Sequence, residues 1–157
     1  MDQEQDKEYL TKEKFNEFSK ELDYLKKTRR KEIAESLESA KALGDLSENA
    51  EYQEAREMQA NIEERIAKVE SILKNAVIVS PHHSDVASIG SVVVVQKDGE
   101  RDTRKYSIVG SEEADMANGK VSNHSPLGLA IMGKKKGDVV AFKTPKGEAK
   151  YKIIDIE

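Results

Sequence analysis

Three carboxylates, Asp45, Glu48 and Glu51, fall three residues apart inside the stretch Gly44-Asp45-Leu46-Ser47-Glu48-Asn49-Ala50-Glu51-Tyr52. At the start of a helix that spacing puts them on one side of the first turns. Acids crowded in this way repel one another, and a divalent cation or a positively charged destination relieves the repulsion. A structural reading competes with this one. Asp45-Leu46-Ser47-Glu48 fits a capping box, with an N-cap acceptor and a Glu three residues later. Capping needs only two of the three acids.

Other residues with chemical potential are few. Lys41 and Arg56 flank the acidic stretch, one on each side, where a phosphate backbone would meet them. The basic run Lys26-Lys27-Thr28-Arg29-Arg30-Lys31 reads as a solvated helix face, paired in part with Asp23, Glu32 and Glu35. His82 and His83 are adjacent, so in an extended loop they do not converge on one metal, and no third ligand follows nearby. Ser36 and Ser47 have no neighbouring His to act as base, which leaves Ser/His/Asp catalysis without support. Lys134-Lys135-Lys136-Gly137-Asp138 reads as a charged turn able to meet an acidic partner.

The elements that carry the acids are helical. Thr11 is a candidate N-cap, with Glu13 in the favourable first turn. Phe15, Phe18, Leu22 and Leu25 follow as a narrow apolar stripe, which resumes as Ile33, Leu37, Ala40 and Leu43 after Arg29 takes an inward-phase position. That change of phase resembles a stutter in a heptad pattern. A second stripe runs Ala55, Met58, Ile62, Ile66, Val69 and Leu73. Narrow stripes on densely charged segments, with no Pro before Pro81, predict two antiparallel helices sharing a coiled-coil seam. About 30 residues per helix give a hairpin on the order of 45 Å long. Gly44 supplies the stop, so the acids occupy a tight, exposed tip.

From Ala76 onward the pattern is that of strands. Val77 to Val79 precedes Pro81, and Ser91 to Gln96 is a β-branched run followed by the hairpin signal Asp98-Gly99, with Lys105 to Val109 as partner. Val139 to Lys143 and Glu148 to Ile156 form a second hairpin around Thr144-Pro145-Lys146-Gly147. Between them, Ser125 caps a short helix whose first position is Pro126. The fold class is α+β: a helical hairpin over 1–76, then a small antiparallel sheet domain with one short helix over 77–157.

Composition narrows the functions. Charged residues make up 36% and aromatics 5%, which suits a rod plus a small globular part. No apolar run is long enough to span a membrane, and the acidic N-terminus lacks the apolar stretch of a secretory signal, so a cytoplasmic location is the simplest expectation. The absence of cysteine excludes disulfides and thiolate metal sites. Residues 1–76 hold 14 Lys/Arg against 19 Asp/Glu, and residues 77–157 hold 12 against 11. Neither half has the basic excess that holding free nucleic acid usually requires.

The chain resembles the GreA/GreB family of bacterial transcript cleavage factors. The resemblance rests on the tip Gly44 to Tyr52 with Ala55-Arg56-Glu57, on Glu21-Leu22-Asp23-Tyr24-Leu25-Lys26 with Arg29-Arg30, and on Ile108-Val109-Gly110-Ser111-Glu112-Glu113-Ala114-Asp115. Ser125-Pro126-Leu127-Gly128 and Lys143-Thr144-Pro145-Lys146-Gly147-Glu148 extend it. It implies a coiled-coil hairpin that enters the secondary channel of RNA polymerase, and an FKBP-like C-terminal domain that grips the channel rim. It further implies that Asp45 and Glu48 help hold a Mg²⁺ ion in the polymerase's own active centre, which then hydrolyses the 3′ end of a backtracked nascent RNA. On this basis Lys41 and Arg56 are expected to contact the RNA, and Ser125 and Pro126 the polymerase. The resemblance also implies a monomer that donates carboxylates, without a complete active site of its own. The shortage of basic residues near the tip favours the GreA type over GreB. Two rivals remain: a non-cleaving secondary-channel regulator, against which the Asp45/Glu48 pair argues, and a prolyl isomerase, which needs an aromatic-lined pocket that Tyr106, Phe142 and Tyr151 scarcely provide.

Overall fold

The structure is a computed structural model that describes residues 6–45 and 49–157. The chain divides into two compact units, a helical one over Phe15–Asn75 and a strand-rich one formed by the residues up to Lys14 together with Ala76–Glu157.

In the helical unit, α1 (Lys12–Tyr24) runs through a π-helical turn at Leu25–Arg29 into α2 (Arg30–Lys41), and α3 (Ala50–Lys74) returns beside it. The pairings across the arms establish the antiparallel sense. Ala40 meets Asn49, Arg30 meets Glu63, and Glu21 meets Arg65, so early residues of one arm face late residues of the other. Phe18, Ile33, Ala40, Ala55, Ile66, Val69 and Ile72 are buried along the seam. The π turn occupies the place where the first apolar stripe changes phase. There the Arg30 N–H donates to the Leu25 carbonyl, five residues back, and the extra residue rotates Ile33 into the seam. Leu43, expected in the stripe, is 65% exposed because α2 ends at Lys41.

The strand-rich unit holds β3 (Val92–Lys97), β4 (Thr103–Val109), β5 (Lys120–Ser122), β6 (Val139–Thr144) and β7 (Gly147–Ile156) in one sheet of order β5-β4-β3-β7-β6. Both anticipated hairpins are present as antiparallel pairs, β3 with β4 and β6 with β7. The sheet is nevertheless mixed, because β5 runs parallel to β4. Three residues of β5 carry too little pattern to read as a strand. Alternation sends Val93, Val95, Tyr106, Ile108, Tyr151 and Ile153 to one face, where α4 (Pro126–Ile131) contributes Leu127 and Ile131.

A second, two-stranded sheet pairs β1 (Glu8–Leu10) in parallel with β2 (Ala76–Ile78). The division anticipated at residue 76 gave the whole N-terminus to the hairpin, whereas β1 groups with the strand-rich unit through its pairing with β2. Thr11 caps α1 as anticipated, its Oγ1 accepting from the Lys14 N–H at 3.2 Å. Among the described residues, no helix is long and apolar enough to cross a membrane.

Candidate functional site

The hairpin tip is built from helix ends. The last turn of α2 tightens through the Leu43 N–H donating to the Ala40 carbonyl at 3.1 Å, and Gly44 then adopts φ +125°, a conformation that L side chains rarely reach. The chain does not re-enter a helix at Asp45. Helix α3 starts at Ala50, and its N-cap is Asn49, whose Oδ1 accepts from the Tyr52 N–H at 3.1 Å. The other end of the same carboxamide donates from Nδ2 to the Ala40 carbonyl at 2.6 Å. One side chain thus satisfies an orphan donor of α3 and an orphan acceptor of α2, and clips the two arms together at the turn.

This changes the reading of the acids. Asp45 does not cap α3, so the capping box anticipated for Asp45 and Glu48 is not what starts the helix. Asp45 is an exposed residue of the turn, and Glu51 is exposed in the first turn of α3. With Leu43, Asn49 and Ala50 they line a shallow depression at the tip. Glu48 lies outside the described residues. Sequence reasoning missed the role of Asn49, although Asn before Ala50-Glu51 carries the residue preference of an N-cap. Asp45, Ser47 and Asn49 all offer that preference within five positions.

Full-length comparison decides which family presents this tip. The description "Transcription elongation factor, N-terminal" matches residues 8–78, and "Transcription elongation factor, GreA/GreB, C-term" matches residues 81–157. The chain belongs to the GreA/GreB family of transcription elongation factors. It is 48% identical to a transcription elongation factor GreA of Clostridium acetobutylicum over 157 residues, covering 98% of this chain and 99% of that one. It is also 47% identical to one of Thermoanaerobacter pseudethanolicus over 149 residues, covering 94% and 95%. Among solved structures, Gfh1 of Thermus thermophilus is similar at 28% identity, with 96% of this chain and 99% of that chain covered and a TM-score of 0.44.

For this member of the GreA/GreB family, the remaining candidate residues fall in separate places. Lys41 ends α2 beside the tip, while Arg56 is seven residues beyond Asn49, about 10 Å further along α3. Both are exposed. The basic run near the π turn has other work. Lys26 pairs with Glu70, Lys27 with Asp23 at 2.7 Å and Arg29 with Glu32, while Arg30 grips Glu63 through two bonds of 2.7 Å. The hydrogen bond from Arg30 holds the Glu63 carboxyl below its ordinary range and raises the guanidinium in turn. Ser125 and Pro126 belong to the strand-rich unit. Ser125 Oγ accepts from the Gly128 N–H at 3.0 Å and donates to the Ser122 carbonyl at 2.7 Å, which fixes the start of α4. Gly128 is required there, since a Cβ would lie 1.9 Å from the Ser122 oxygen. Pro126 and Leu129 are left exposed on the outer side.

The donor set bears on the expected metal. Among the described residues, no group of three or more His, Cys, Asp or Glu side chains is placed to hold an ion. Mg²⁺ is commonly bound through one or two carboxylates and keeps several waters, and the exposed Asp45 is a donor of the type it takes.

Proposed function

We propose that this chain binds bacterial RNA polymerase, with its hairpin in the secondary channel, and stimulates the polymerase's intrinsic cleavage of backtracked RNA. The observation that carries the reading is the tip of the hairpin. Capping of α3 falls to Asn49, and Asp45 stands ahead of the helix in an exposed turn. The family match over both halves of the chain supports it further.

In this reading Asp45 and Glu48 supply carboxylate oxygens to a Mg²⁺ ion held mainly by the polymerase. Such an ion, when bound, activates water and stabilises charge on the oxygens of the scissile phosphodiester. The chain's own contribution is positional. Asn49 ties the end of α2 to the start of α3, on either side of the acids. Lys41 and Arg56 meet the RNA phosphates at two depths along the hairpin, the first near the reacting end and the second about two turns back. Ser125 and Pro126 at the start of α4, stiffened by the Ser125 hydrogen bonds, dock on the polymerase rim.

The test is transcript cleavage in a stalled, backtracked elongation complex. Asp45→Asn and Glu48→Gln keep size and much of the hydrogen bonding while removing charge. Each is expected to abolish stimulation with polymerase binding nearly unchanged. Wild-type cleavage by both variants would leave the acids without a catalytic part.

A further inference from the structure

Within the strand-rich unit a cavity of about 340 Å³ opens beside β1. This is the small end of the range for ligand pockets, which are mostly apolar with a few placed polar groups. Leu10, Val79, Ile89, Val92 and Ile108 give it apolar walls. Leu10 and Ile108 have no exposed surface and back the cavity from the core, so the accessible apolar walls are Val79, Ile89 and Val92. One side closes through a backbone contact that only glycine permits. A Cβ on Gly110 would lie 2.0 Å from the Tyr9 carbonyl oxygen.

The polar part of the lining is unbalanced in charge. Two carboxylates, Glu113 and Glu13, face it against one ammonium, Lys120. Glu113 is only 8% exposed. Its Oε1 accepts from the Thr11 N–H at 2.5 Å and its Oε2 from the Thr11 hydroxyl at 3.2 Å. An ionised carboxylate offers about four acceptor sites, so these bonds leave capacity for a further donor. A buried carboxylate in an apolar wall favours a cationic donor over a neutral one.

We propose that this cavity is a binding site for a small aryl-alkyl amine. The ring lies against the part-exposed side chains of Val79, Ile89 and Val92, and the ammonium turns toward Glu113 and the rim acid Glu13. An acid of the same shape meets two like charges and is disfavoured. The site shares no lining residue with the tip or with Ser125 and Pro126, so it stands or falls independently of transcript cleavage.

The experiment is an amide NMR titration of the full chain with 2-phenylethylamine, run beside 2-phenylethanol and phenylacetate as neutral and anionic counterparts. The amine is expected to give saturable shifts at the Leu10, Ile89, Ile108 and Gly110 amides in the millimolar range, binding about tenfold tighter than the acid. Ile89→Trp fills the cavity and removes the shifts. Glu113→Gln erases the preference for amine over alcohol while the alcohol still binds. Because that change also weakens the Thr11 contact, the exposed Glu13→Gln is measured beside it, and it narrows the preference by a smaller factor. The proposal is overturned if none of the three compounds gives saturable shifts. It is equally overturned if all three bind alike and Ile89→Trp leaves their shifts in place.

Discussion

The two units of this chain are stabilised in different ways. The strand-rich unit has a continuous core in which Val93, Val95, Ile108, Ile131 and Ile153 are essentially inaccessible to water, with Phe142 stacked on Tyr151 at 5.5 Å. The helical unit has no such interior. Its buried residues form a single file, and charged side chains reach across them. Arg65 holds Glu21 through bonds of 2.5 and 2.9 Å with its guanidinium 5.9 Å from the Phe18 ring, and Arg30 holds Glu63. A two-helix seam is too thin to exclude solvent, so the stems of Arg and Lys complete its walls. The comparison teaches that truncation of a core residue is the main threat to one unit, while loss of a cap or a salt-sensitive pair threatens the other.

The largest expected effect is therefore in the sheet. Ile153→Ala should cost about 2–5 kcal/mol in urea denaturation, because the closed core cannot collapse around the cavity. Ile33→Ala in the seam should fall at or below the low end of that range, since neighbouring side chains and water can fill the gap. Equal losses would erase the contrast. Next comes the tip, where Asn49→Ala removes the cap of α3 and the clip to Ala40, for about 1–2 kcal/mol. Hydrogen exchange should then accelerate at Tyr52 and Gln53, with the sheet amides unchanged.

How far the sequence carried this picture depended on the length of each signal. The two helices spanned enough residues for their apolar period to be read, and the β6–β7 hairpin was bounded by Thr144-Pro145-Lys146-Gly147. Strands β1 and β5 were not legible, because Glu8-Tyr9-Leu10 and Lys120-Val121-Ser122 lack the run of β-branched residues that marked β2, and their pairing depends on distant partners. At the tip the acids were visible, but the choice of N-cap was not. Asp45, Ser47 and Asn49 share one propensity, and only the path of the backbone selects Asn49. The cross-arm pairs were hidden for a similar reason. Arg30 has nearby acids in sequence, yet it bonds Glu63, 33 residues away.

The smaller predictions sharpen the electrostatic half of the comparison. Arg65→Ala should cost up to about 1 kcal/mol at low salt and progressively less as salt rises, with the sheet's own melting unaffected. Glu63 gives the least change, and it appears only on the acid side. Its folded pKa is lowered from 4.5, mainly by the hydrogen bond from Arg30, so its stabilisation is present above that value. It is lost as pH falls through the lower, folded pKa. In Glu63→Gln, helical-unit stability should lose part of its slope between neutral and acidic pH, and an unchanged profile would remove this pair from the account.

The π turn at Leu25–Arg29 also sets a rule for resizing the hairpin. It is an insertion of one residue relative to an ordinary helix, so the outgoing arm takes more residues than the returning arm to cover the same distance. Deleting one residue there would let the turn revert to an ordinary helix with Ile33 still in the seam, whereas a deletion elsewhere in the arm would swing everything toward the tip by about 100°. Lengthening the arms without moving Asp45 around the axis therefore calls for paired insertions of whole seven-residue blocks, leaving the π turn in place as the fixed mark from which the reach of the tip is measured.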